Sequence, residues 1–148
     1  MKATIVPPGE GRKLDCGVFR AHILDRGEST QGRLGCMEFE VNPRSTPPPA
    51  HVHRSLVESF YILEGEIEFV VEGVPHRAGP GTFVQVPAGL AHTYRNPGDG
   101  FLKFLVFFLP AAFIGFFEEF EVLVRSGQAN PVSNVALLNK YDTEAVRP

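Results

Sequence analysis

From residue 35 to residue 109 the chain is a succession of short segments in which apolar and polar residues alternate, most of them ended by glycine or proline. Residues two apart on an extended strand share a face, so this period marks half-buried strands. Met37, Phe39 and Val41 alternate with Glu38 and Glu40. Residues 57–63 form the next such segment, Glu64-Gly65 turns it, and Ile67, Phe69 and Val71 alternate with Glu66, Glu68 and Glu72. Residues 83–86 are entered through Gly79-Pro80-Gly81 and closed by Pro87. Residues 92–95 and the apolar run 101–109 follow, with a turn at residues 96–100 between them. Weaker strand signals lie at Val18-Phe19 and Ile23-Leu24. Six to eight strands at this spacing predict an all-β sandwich or barrel.

After Pro110 the period changes. Phe113, Phe116, Phe117, Phe120 and Val124 recur at helical spacing, with Glu118, Glu119 and Glu121 on other faces and Gly127 as a stop. Asn130 before Pro131 has the form of an N-cap and first helical residue, opening a second helix that would carry Val135 and Leu138 towards the barrel. A length of 148 residues fits one domain, with a barrel core over about 15–110 and a helical segment over about 111–141.

Two arrays of residues carry chemistry. In the first, His51 and His53 lie two apart, so an extended strand projects them side by side. Glu58 returns to that face if a turn or bulge intervenes at Arg54-Ser55. Two imidazoles and a carboxylate suit a borderline divalent metal. In the second, Gly81, Pro87, Gly89, His92 and Asn96 fall within sixteen residues. Pro87 ends a strand, Gly89 permits a tight bend, and His92 starts an antiparallel strand facing the same interior. Asn96 can close the following turn with its own side chain.

Together the arrays resemble the two signature motifs of the cupin superfamily. His51, His53, Glu58 and Gly65 meet the spacing of the first motif, though Ser45 stands where its leading glycine belongs. Gly81, Pro87, Gly89, His92 and Asn96 meet every position of the second. The resemblance implies a cupin double-stranded β-helix, or jelly-roll barrel, with one or two short C-terminal helices. It also implies one divalent metal ion per chain (iron, manganese, nickel, copper, cobalt or zinc), held by His51, His53, Glu58 and His92. Three histidines and a glutamate leave two coordination positions open, as catalytic sites require. In similar flavonol-cleaving cupins the ligating glutamate doubles as the base, which gives Glu58 a catalytic role.

Strand alternation from Glu58 and His92 places Phe60, Ile62 and Tyr94 inward. Leu102, Phe104, Val106 and Phe108 should face opposite to Lys103, so Phe104 and Val106 join the expected pocket wall. Such a pocket suits a planar or hydrophobic small molecule better than a sugar phosphate. The stretches 47–53, 60–66 and 110–119 look like the one-domain cupins grouped as quercetin-dioxygenase-like. That likeness implies a dioxygenase acting on a flavonol-like or other enolisable aromatic compound. The group also holds non-redox isomerases and cyclases, and a non-catalytic small-molecule-binding module is a third expectation.

A formal net charge of −3 with no lysine or arginine block gives nucleic-acid binding no support. The longest apolar stretch, residues 104–115, is too short to span a bilayer and is broken by Pro110. The first residues lack the apolar run of a signal peptide, so a cytoplasmic protein is expected. Cys16 and Cys36 are expected to be reduced packing residues. His22 and His76 carry no functional argument, and His76 is expected at the surface. A homodimer is expected, because similar cupins pair through sheet edges and the strand over residues 101–108 is apolar on both faces.

Overall fold

A computed structural model describes residues 2–146. The strands are β1 (Arg12–Asp15), β2 (Phe19–Asp25), β3 (Gly35–Val41), β4 (His51–His53), β5 (Val57–Glu64), β6 (Ile67–Val71), β7 (Val74–Ala78), β8 (Phe83–Val86), β9 (His92–Arg95), β10 (Leu102–Leu109) and β11 (Thr143–Ala145). The helices are α1 (Ile114–Arg125) and α2 (Pro131–Lys140). Two antiparallel sheets result, ordered β1-β2-β3-β10-β5-β8 and β11-β4-β9-β6-β7. They face one another as in a jelly roll, and the alternating inward residues of both meet between them.

The pleat decides what each strand buries. In β3, Met37, Phe39 and Val41 are buried while Glu38 and Glu40 stay half-exposed. In β10, Leu102, Phe104, Val106 and Phe108 are buried, as their alternation with Lys103 requires. Phe104 stacks on Phe39 at 5.3 Å between ring centroids and touches Phe60 at 5.6 Å, so three neighbouring strands share one aromatic layer. The other face of the same sheet is mixed, with an apolar patch beside Glu38, Glu40 and Lys103. Leu105 pairs with Tyr61, and Tyr61 with Phe83, and both of these rings are exposed.

Gly65 makes the β5–β6 turn with φ of +80°, and a Cβ there would lie 2.7 Å from the carbonyl oxygen of Phe101. Only glycine meets both conditions. Strand β7 went unread because Pro75 interrupts it. It is an edge strand, where a missing N–H costs no ladder bond. His76 lies there, exposed, and His22 is half-buried on β2.

Helix α2 starts as expected. The Asn130 side chain accepts from the backbone N–H groups of Val132 and Ser133, and the Ser133 hydroxyl accepts from the Asn130 N–H, completing a capping box. Two expectations about the helices fail. Val135 points outward, and Leu137 and Leu138 are the buried residues. Val135 lies about 60° round the helix from Leu138 and about 160° from Leu137, so it falls outside the buried stripe. Glu121 is buried and not on an outer face, because it sits four residues after Phe117 on the packed side. Its carboxylate accepts from the Asp15 N–H at 2.8 Å and pairs with Arg125 at 3.2 Å, which ties α1 to the end of β1. No helix among the described residues is long and apolar enough to cross a membrane.

Both cysteines are free. Burial, helped by the charges of Glu121 and Asp15, lifts the Cys16 thiol to about 12, and burial lifts Cys36 to about 11. Above the ordinary thiol value the unfolded chain releases protons that the folded chain keeps, so stability falls as pH rises from there towards these values. Thermal melts should therefore show a declining midpoint between about pH 9 and pH 11, with a shallower slope in Cys16→Ala. An unchanged slope in that variant would remove Cys16 from the account.

Candidate metal centre

Both sheets contribute to one cluster. His51 pairs directly opposite His92 across β4 and β9, and opposed residues of antiparallel strands share a face. His53 follows two residues on from His51. The bend at Arg54-Ser55 carries the chain into the other sheet, where Glu58 on β5 lies opposite Phe108 and Val86. The three imidazoles thus come from one layer and the carboxylate from the other. One ligand atom from each residue lies within 4.8 Å of the others, and none of the four residues is more than 8% exposed.

The hydrogen bonds aim the rings. His51 Nδ1 donates to the Pro49 carbonyl at 2.8 Å, and His92 Nδ1 to the Leu90 carbonyl at 3.1 Å. His53 Nδ1 lies 2.7 Å from Thr143 Oγ1. The Thr143 hydroxyl spends its own proton on the Tyr141 carbonyl at 2.9 Å, so its oxygen must accept from His53. Each Nδ1 is therefore a donor, which leaves each Nε2 to carry the lone pair that a metal needs.

The electrostatics of His51 point the same way, while Glu58 competes for a proton on His92. Burial, with the neighbouring His92, lowers His51 to about 4, so it is neutral near pH 7. Burial opposes charge on Glu58, but the imidazoles of His53 and His92 outweigh it and hold the carboxyl well below its usual range. Burial also pulls His92 down, and the Glu58 carboxylate overcomes it and raises the imidazole. His92 Nε2 lies 3.0 Å from Glu58 Oε2. His53 Nε2 lies 3.2 Å from the same oxygen, yet it is buried without an aligned hydrogen bond. An imidazole nitrogen without a hydrogen bond beside an anionic carboxylate is a donor set that suits a divalent cation. The residues therefore fit a divalent metal.

A cavity of about 320 Å³ opens onto this cluster through His51 and Glu58. Phe60, Tyr94, Phe104 and Val106 line it. Ile62 does not. It is fully buried on the same face as Glu58 and Phe60, but two strand residues advance about 7 Å and carry it below the cavity floor. Tyr94 packs among Phe60, Phe69 and Phe104, and burial pushes its phenol up, so it stays protonated.

The second motif's Asn96 is structural. Its Nδ2 donates to the carbonyls of Val41, Asn42 and Gly100, and its Oδ1 accepts from the Gly98 N–H. Ser45, where the first motif expects glycine, accepts from the Asn96 N–H through its hydroxyl at 3.3 Å and lines the cavity. The departure from the motif therefore places a polar group at the cavity rim and leaves the four clustered residues untouched. Sequence reasoning missed Thr143, and missed the helical wall formed by Phe116, Phe120, Asn134 and Leu138. The phenylalanine stripe was legible as helix, but its partner was not.

Comparison with known proteins agrees with this geometry. A family model described as a cupin domain matches residues 37–108. A quercetin 2,3-dioxygenase of Bacillus subtilis is 29% identical over 114 residues, which is 77% of this chain and 33% of the relative. The chain thus spans about a third of that protein's length. Among solved structures, the polyketide cyclase RemF of Streptomyces resistomycificus matches with a TM-score of 0.56 and 25% identity, over 68% of this chain and 69% of that one. A predicted oxalate decarboxylase of Thermotoga maritima matches with a TM-score of 0.64 and 22% identity, over 72% of this chain and 98% of that one. With both motifs in register, the paired antiparallel sheets and the three histidines and glutamate gathered between them, the chain has the jelly-roll fold of the cupins, matches the cupin-domain family over residues 37–108 and resembles the quercetin-dioxygenase-like group.

Proposed function

We propose that this protein is a metal-dependent dioxygenase acting on a flavonol-like or other enolisable aromatic compound. The observation that carries the reading is an aromatic-walled cavity that meets the four-residue cluster through His51 and Glu58. One divalent ion per chain, held by His51, His53, Glu58 and His92, would supply Lewis acidity and, if redox-active, a partner for dioxygen. The chain supplies the rest. Phe39, Phe60 and Phe104 bound a space that takes a planar ring system and keeps water from it. Glu58 is the carboxylate on the cavity wall, placed to accept the proton of an enolic hydroxyl. The neutral Tyr94 phenol offers a hydrogen bond to the same molecule.

Oxygen uptake with quercetin, after reconstitution with iron, manganese, nickel or cobalt in turn, tests the reading. Metal-dependent uptake is expected. No uptake with any of these ions across a small panel of enols would sink it. The likeness to a polyketide cyclase favours one second reading, a non-redox cyclase or isomerase working on a similar aromatic skeleton. That enzyme would turn over without oxygen and with zinc.

A further inference from the structure

We propose that Tyr94 of β9 selects aromatic ligands that carry a neutral acceptor oxygen, above all a carbonyl, beyond the oxygens that face the metal cluster. This inference rests on reading the cavity as an aromatic-substrate site, and it narrows the substrate class.

Tyr94 follows His92 by two residues on β9, so the pleat turns both side chains to the interior and sets Tyr94 roughly 7 Å further along the strand. Its ring lines the cavity, on a stretch of wall shared with Phe60 and Phe104. Its hydroxyl makes no hydrogen bond with any described residue. Nor is it sealed in the packing, whereas the amide oxygen of Asn134 is. The rings of Phe60, Phe69 and Phe104 stand against it at 6.0, 6.1 and 5.5 Å between centroids. An unsealed hydroxyl on a ring so enclosed opens into the cavity.

The same three contacts hold the ring still, and its backbone pairs with Phe69 of β6. Phenylalanine would keep all of them. Packing therefore accounts for the ring and leaves the hydroxyl unexplained.

A phenol near neutral pH carries its proton. The protein offers this one no acceptor, so the matching ligand group is an acceptor. Among the described residues the cavity wall holds no lysine or arginine that would balance an anionic substituent, which favours a neutral oxygen. A ligand with no oxygen there displaces water from the hydroxyl and leaves it unpaired. That is how a largely apolar pocket rejects an analogue lacking one polar group.

The test titrates chromone and naphthalene, two-ring probes of similar size, into the full chain by calorimetry. Chelator is present so that no metal competes for the carbonyl. Tyr94→Phe should weaken chromone binding about 10-fold and bind naphthalene at least as tightly as the wild type does. It should also melt no lower than the wild type, because the hydroxyl bonds nothing in the fold. An unmoved chromone affinity, an equal loss for both probes, a lower melting point, or a wild type that does not bind chromone overturns the proposal. Tyr94-dependent chromone binding without oxygen uptake from quercetin would retire the dioxygenase reading and leave this inference standing. Uptake with unmoved chromone binding would do the reverse.

Discussion

Chelator-treated His92→Ala protein is expected to be about 3 kcal/mol less stable than chelator-treated wild type, and to retain no metal after reconstitution and dialysis. The stability loss follows from the state of the pair. His92 and Glu58 are both buried, with Nε2 3.0 Å from Oε2, and the carboxyl is held ionised by the imidazoles beside it. Removing His92 leaves a buried anion beside the His53 imidazole, whose Nε2 lies 3.2 Å away without an aligned hydrogen bond. The metal loss follows from the geometry, since one of four converging ligand atoms is gone. The two effects can be separated. Glu58→Gln in the His92→Ala background removes the buried charge, so it should restore most of the stability while restoring none of the metal. Denaturant titration reads the first quantity and elemental analysis the second. Full metal occupancy in His92→Ala would show that the cluster is not the site.

Thr143→Val should weaken metal binding by roughly 10- to 100-fold, although Thr143 is no ligand. Valine keeps the shape and removes the oxygen that accepts from His53 Nδ1 at 2.7 Å. The ring then has no acceptor to fix its tautomer, and a buried N–H goes unpaired at a cost of about 1–3 kcal/mol. The edge-on contact with Phe113, 4.8 Å between centroids, still holds the ring in place, so a collapsed site is not the expected cause. Thr143→Ser should restore affinity, because it returns the oxygen. Competition against a chromophoric chelator measures both variants. Equal affinity for Thr143→Val and wild type would mean that packing alone orients His53. His51 and His92 give no such handle, since their Nδ1 atoms bond backbone carbonyls that no side-chain substitution removes.

These expectations differ in how much of their basis was readable before folding. The four clustered residues were legible because each motif is local. Residues two apart on a strand share a face, and the glycines and prolines of the second motif bend the chain so that His92 starts the strand opposite His51. The alternating strand Gly35–Val41 and the turn-bounded strands Phe83–Val86 and His92–Arg95 fell where the sequence put them, and Asn130-Pro131 opened α2 as its capping chemistry demands. Strand β11 was not legible. Three residues after a helix carry no period, and they form a strand only because β4 presents an open edge. Thr143 reaches His53 across 90 positions of chain, a distance over which no local pattern operates.

Spacing along the sequence therefore set the barrel, the identity of the four clustered side chains and the inward face of each long strand, because pleat and turn geometry act between near neighbours. The tertiary structure decided the rest. It placed Glu58 in the opposite sheet from the histidines, and set the cavity floor above Ile62. It also brought Thr143 behind His53 and turned Asn134 into the aromatic wall. Each of these depends on how separately formed elements pack, and packing distance between elements leaves no trace in the order of residues within one.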